Sequence, residues 1–204
     1  VGLYAKGGNL FAETPDVHWA TPYGEFYLRG GHRIWKAPED SFYNCPEDNV
    51  TVVKEKNRVT LRNSVDASGL QKEISFTLDE NRILLTHQLL WHGQEPIELA
   101  PWTITQVPLG GVAILPQSSI HEGSMSTRSL ALFPYATVTD SRLELHDDLI
   151  LVYGSADQKF FKAGSYNPFG WAAYMLEKAL FIKHFPVGDF RTLPDMGSNV
   201  ETYV

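Results

Sequence analysis

The chain has 204 residues, a formal net charge of −7 and one cysteine, Cys45. That charge argues against a nucleic-acid groove or an anionic membrane surface as partner. A lone cysteine excludes an internal disulfide and a cysteine-rich metal site, and no run of about 18 apolar residues offers a membrane-spanning helix.

Taken in chain order, the start Val1-Gly2-Leu3-Tyr4 reads as neither a signal peptide nor an initiator. The end, Val200–Val204, is β-branched and aromatic, like a strand. Both ends read as cut through structure, which predicts a fragment of a longer chain. Near the start stands Gly30-Gly31-His32-Arg33-Ile34-Trp35-Lys36-Ala37-Pro38-Glu39. Two glycines, which tolerate positive φ, open a run of planar donors, a carboxylate and an indole.

Val50–Lys54 and Arg58–Arg62 flank Glu55-Lys56-Asn57 and predict a hairpin. Lys72–Leu78 alternates, with Ile74, Phe76 and Leu78 on one face. Asp79-Glu80-Asn81 turns the chain into a long strand, Arg82–Trp91. Further candidate strands are Ile97–Val107, Val112–Leu115, Ser129–Phe133, Leu143–Leu145 and Leu149–Tyr153. Short alternating runs separated by turns predict an all-β sandwich or barrel. Trp171–Phe185 is ambiguous: its Ala, Leu, Met, Glu and Lys content favours a helix, and a hairpin turning at Glu177-Lys178 is the alternative. With no repeat and no linker, residues 1–204 are read as a single domain.

Nucleophile elbows, phosphate loops and dinucleotide fingerprints are absent, so no cofactor is expected. None of the seven histidines makes an i, i+4 pair, so no metal is expected; His121 and Glu122 would need a distant third ligand. His32, Arg33 and Trp35 are either the opening of a core strand or a grip on a ligand. Trp102 and Gln106 are four apart and share a strand face. There they could stack on and hydrogen-bond to a pyranose, or serve as core and rim. Lys159, Lys162 and Lys183 sit among aromatics, where cation–π contacts compete with snorkelling. Pro194-Asp195 and Gly197-Ser198-Asn199 are turn chemistry, and Glu201 is the better candidate for a functional acid.

Several segments together resemble an uncharacterised bacterial domain family of the galactose mutarotase-like (aldose 1-epimerase-like) superfamily. They are Gly30–Trp35 with Ala37-Pro38-Glu39, Trp102–Gln106, Gly170–Tyr174, Phe181–Phe185, and Pro194-Asp195 with Asn199-Val200-Glu201. The resemblance runs from about Gly8 to the end. It implies a β-supersandwich of two large antiparallel sheets, continuing past both observed ends, with a carbohydrate on a concave face. It also favours the hairpin over the helix in Trp171–Phe185. In the aldose 1-epimerase members a histidine protonates the ring oxygen and a glutamate takes the anomeric proton. The strand Pro101–Gln106, where that histidine would stand, has none.

The leading expectation is therefore a carbohydrate-binding domain. His32, Arg33, Trp35, Trp102 and Gln106 would line the sugar site, Lys162, Lys183 and Glu201 would stand at its rim, and Trp171 would join the substrate-binding set. An isomerase using His32 and Glu201 as catalytic pair is one alternative; an accessory module of a polysaccharide-degrading enzyme is another. The acidic balance favours neutral sugars.

Overall fold

The computed structural model describes residues 2–5, 8–38, 49–79, 82–118, 126–155 and 159–204. Glu39, Cys45, Glu80, Asn81, His121 and Glu122 lie outside the described residues. The chain is nearly all β, 53% strand against 4% helix, which decides the fold class. Among the described residues the strands form several antiparallel sheets, as a β-sandwich requires, and none closes into a barrel. Among the described residues no helix is long and apolar enough to cross a membrane. Two compact units divide the chain, Val1–Gln106 and Val107–Val204.

The first unit contains β1 (Tyr4–Ala5), β2 (Gly8–Asn9), β3 (Glu13–Thr21), β4 (Gly24–Gly30) and β5 (His32–Ala37). After these come β6 (Thr51–Lys54), β7 (Arg58–Arg62), β8 (Leu70–Asp79), β9 (Arg82–Trp91) and β10 (Ala100–Thr105). Strands β6 to β9 form a meander in sequence order. Its alternation is the one the side chains predict. Leu61, Ile74 and His87 stand opposite one another on one face, and Thr60, Ser75 and Thr86 on the other. The polar face satisfies itself: Arg58 donates to Ser75 at 2.8 Å and Arg62 to Glu73 at 2.6 Å. β5 pairs antiparallel with β10, and β3 with β4. Phe26, Ile34, Trp35, Leu70 and Ile74 are among this unit's buried apolar residues.

A bend joins β4 to β5. Arg29, Gly30 and Gly31 all have left-handed backbones, with φ of 58, 74 and 74°. The bend is stitched on two sides. Gly31 donates its amide to Ala12 at 2.9 Å, Gln106 donates to Gly31 at 2.9 Å, and Ala12 donates to Gln106 at 3.0 Å. Gly30 fits because it has no Cβ: one would lie 2.1 Å from the Ala12 carbonyl oxygen.

The second unit contains β11 (Val112–Pro116), β12 (Ala131–Leu132), β13 (Leu143–Leu145), β14 (Leu149–Tyr153) and β15 (Lys162–Ser165). It ends with β16 (Trp171–Leu176), β17 (Ala179–His184) and β18 (Val200–Tyr203). A five-stranded sheet, β13-β14-β11-β16-β17, and a three-stranded sheet, β12-β15-β18, share one core. Leu115, Ile150, Val152 and Tyr174 enter it from the first sheet, and Phe161 and Ala163 from the side of the second. Val152 and Phe161 are wholly buried. The ambiguous Trp171–Phe185 segment is the hairpin β16–β17, turning at Glu177-Lys178. Its intermediate–exposed alternation in β17 and the burial of Ala173 and Tyr174 show tertiary packing overriding helix propensity.

Candidate functional site

The five residues expected to line one site in the first unit are divided between two faces of the β5–β10 ribbon. Adjacent residues of an extended strand point to opposite sides, so His32 and Arg33 cannot share a face. Trp35 stands opposite Trp102, and Arg33 opposite Ile104, on one side. The Trp35 and Trp102 rings meet edge to face at 5.7 Å, and the Arg33 guanidinium lies 5.4 Å from the Trp35 ring. Arg33 donates to the carbonyls of Leu28, at 2.7 Å, and Gly30, at 3.2 Å, and to the Gln106 carboxamide oxygen. Arg33 and Trp35 are buried, while Trp102 and Gln106 are half-buried. Four of the five sequence candidates thus form one cluster. In it, Arg33 ties the Gly30–Gly31 bend to Gln106, the residue that directly follows β10.

All three oxygens are met by one guanidinium nitrogen, Nη2, which the rigid planar group holds in place, whereas a lysine ammonium is a compact charge on a shorter-reaching, flexible stem. Arg33→Lys is expected to lower stability by about 2 kcal/mol with its charge retained, since buried carbonyls lose their donors. Urea denaturation of the two proteins measures this.

His32 faces the other way. It is buried, with Nδ1 at 2.8 Å from Thr105 Oγ1 and Nε2 at 2.8 Å from His87 Nε2. His87 was not singled out by the sequence reading. Its signal was the inward alternation Leu85, His87, Leu89 on β9, a ring placed where an apolar side chain belongs.

In the second unit Lys162 and Glu201 come together. They lie on adjacent strands, β15 and β18, with Gly164 opposite Glu201 and Lys162 opposite Tyr203. The Lys162 ammonium is 2.9 Å from Glu201 Oε2 and 3.8 Å from the centre of the Phe133 ring. Gly164 leaves the space the pair needs: a Cβ there would lie 2.6 Å from Ser198 Oγ and 3.3 Å from Glu201 Cγ. The approach to β18 is held by Asn167 and Asn199. Asn167 takes its amide to the Asn199 side chain at 2.7 Å, and Asn199 donates back to the Asn167 carbonyl at 2.9 Å. Before it, Asp195 and Met196 have left-handed backbones, φ 51 and 59°.

Burial pushes the Glu201 carboxyl up from 4.5 to about 7; Lys162 opposes that rise and the Asp195 carboxylate adds to it. Desolvation dominates here because the carboxylate loses more hydration than one ammonium returns. Asp195, read from the sequence as turn chemistry, thus belongs to the electrostatics of Glu201.

The other two candidates do not join this pair. Trp171 stands opposite His184, and Lys183 opposite Ala172, so they occupy opposite faces of the β16–β17 hairpin. Lys183 shares the side of Phe181, which packs on the core. Burial lowers its ammonium to about 8.

Among the described residues no group of three or more His, Cys, Asp or Glu side chains is placed to hold a metal ion. His32 belongs to the first unit and Glu201 to the second. Compared with known proteins, the chain matches no family model, no curated protein and no solved structure at a significant level.

Proposed function

We propose that this chain is a carbohydrate-binding domain of galactose mutarotase-like type. The observation that carries the reading is the Arg33–Trp35–Trp102–Gln106 cluster on one face of the β5–β10 ribbon. The half-buried members, Trp102 and Gln106, set an indole face beside a carboxamide, an apolar surface next to a planar hydrogen-bonding group of the kind a pyranose uses, and the buried Arg33 and Trp35 hold the two in place. The motif series from Gly30 to Glu201 and the all-β antiparallel architecture support the family reading. Proton NMR of freshly dissolved α-glucose and α-galactose is the test. Selective broadening of one sugar's lines in the presence of protein is the expected result. Unchanged lines across a wider saccharide panel would remove the reading.

A second reading, an aldose 1-epimerase-like isomerase, is favoured by one observation, the carboxyl of Glu201 near neutrality. A general acid–base group works best when its pKa lies near the operating pH. Under this reading α-to-β interconversion accelerates in the same spectra, and Glu201→Gln abolishes the acceleration.

Glu201 also makes a prediction independent of activity. Its folded pKa is raised, so its contribution to stability is fully present below about pH 4.5. The contribution is lost as pH rises through about 7. Glu201→Gln removes that slope. The difference in unfolding free energy between the two proteins is expected to change by on the order of 2 kcal/mol between pH 4.5 and 8. Parallel curves from denaturation at a series of pH values would contradict it.

A further inference from the structure

The His32–His87 contact lies on the face of the β5–β10 ribbon turned away from the Arg33 cluster, so it takes no part in the carbohydrate reading. Its geometry is that of two donors aimed at one point. The Nε2 atoms are 2.8 Å apart and the ring centroids 5.0 Å apart. The second distance exceeds the first by about the two ring radii, so the nitrogens face each other nearly head-on. The ring planes are inclined at 55°, a twist to which a head-on pair of donors is indifferent. His32 is fixed from behind. Its Nδ1 meets Thr105 Oγ1 at 2.8 Å, the kind of outer contact that orients a metal-binding imidazole.

The surroundings select the ion. Leu85 and Leu89 flank His87 on the same face of β9, and Ile74 of β8 stands opposite it. Ile34, on the His32 face of β5, and Ile74 are both buried. Among the described residues no further His, Cys, Asp or Glu joins the two rings as a third ligand. Two neutral ligands in an apolar layer leave the whole charge of an ion uncompensated, a cost that climbs with that charge. Zinc in a protein takes four ligands in a tetrahedron, and calcium takes six to eight oxygens. A soft monovalent ion with a filled d shell accepts two donors in a line, and imidazole is a suitable ligand for copper.

We propose that His32 and His87 form a two-coordinate site for a soft monovalent cation, with Cu(I) as its biological occupant. The ion would lie between the two Nε2 atoms. Metal–imidazole bonds of about 2 Å require the rings to part by about 1 Å, and the half-buried His87 is the ring with room to swing.

Anaerobic titration of the Cys45→Ser protein with Cu(I) against a chromophoric chelator tests the site, with X-ray absorption on the product. The substitution removes the only thiol of the chain. One ion per chain, held by two nitrogen donors, is the expected result. His87→Phe should lower the affinity by at least about a hundredfold, since losing a ligand costs more than losing an orienting partner. Its melting temperature should stay within a few degrees, because leucine and isoleucine side chains receive the new ring. His87→Met should keep most of the affinity, since a thioether is a soft donor. Equal affinity in the His87→Phe protein would put the ion elsewhere and overturn the site. Three or more donors in the absorption spectrum, Zn(II) bound more tightly than Cu(I), or no Cu(I) retained would each overturn it too. Those three results are read with both histidines in place, so they decide the matter even if His87→Phe fails to fold.

Discussion

Gly30→Ala is expected to destabilise the first unit by roughly 3–5 kcal/mol, the range reached by the few substitutions with an identifiable structural cause. Two costs add at this position. A left-handed backbone charges any L-residue about 1–2 kcal/mol. The new Cβ would also stand 2.1 Å from the Ala12 carbonyl oxygen and 2.8 Å from its carbon. Those atoms are backbone and are held by the Gly31 amide at 2.9 Å, so the clash cannot be relieved by rotating a side chain. Relief requires parting Ala12 from the bend, which breaks the stitch among Ala12, Gly31 and Gln106. Gly8→Ala is the useful comparison. Gly8 also has a positive φ, 124°, but nothing beyond its chain neighbours lies within 4 Å of a Cβ built there, so any loss at that position is conformational and not steric. Thermal and urea unfolding of the two variants should separate by the steric part, and equal losses would show that the bend yields.

Lys162→Met is expected to cost about 3–5 kcal/mol at pH 8, because removing one partner of a buried ion pair strands the other. The stranded group is the Glu201 carboxylate, 2.9 Å from the missing ammonium. Lys162 is the influence that holds the Glu201 pKa down against burial and Asp195. Without it the pKa climbs further, and the carboxyl is protonated in the folded state over a wider range. The penalty should therefore shrink as pH falls towards 5, where the carboxyl carries its proton with or without lysine. Adding Glu201→Leu should restore much of the loss at pH 8, since apolar replacement of both partners removes the desolvation cost as well as the attraction. A loss that is flat in pH, and not rescued by the second change, would mean that the lysine acts through its contact with Phe133 alone.

The elements were legible where side-chain alternation and turn chemistry agree. Leu143–Leu145, Leu149–Tyr153 and Arg82–Trp91 lie where alternation places them. Ser129–Phe133 contracts to Ala131–Leu132, because ends are set by partners the local sequence does not contain. The grouping of His32 with Arg33 and Trp35 shows a different limit. The run is continuous in sequence, yet a strand sends its neighbours to opposite sides, so its chemistry divides. That division follows from geometry alone once the run is known to be a strand. The partner of His32, by contrast, depends on the β6–β9 sheet lying against the β5–β10 ribbon, a tertiary fact. Lys162 and Glu201 are both visible as candidates, but their contact rests on the β15–β18 register, which links distant segments and has no local signature. The left-handed Arg29 was invisible because φ is not written in side-chain type when the residue is neither glycine nor asparagine.

The His32–His87 contact has a consequence for how β5 and β9 are held together. Two imidazole nitrogens 2.8 Å apart have room for a single hydrogen between them, so one ring must give and the other receive. The assignment on one ring dictates the tautomer of the other, and Thr105, whose hydroxyl can act in either sense, completes the chain at Nδ1. Were both rings cationic, two N–H groups would point at each other and the link would become a repulsion. A ladder of backbone amides is indifferent to acidity in this range; this rivet between strands holds only for certain occupancies of a shared hydrogen.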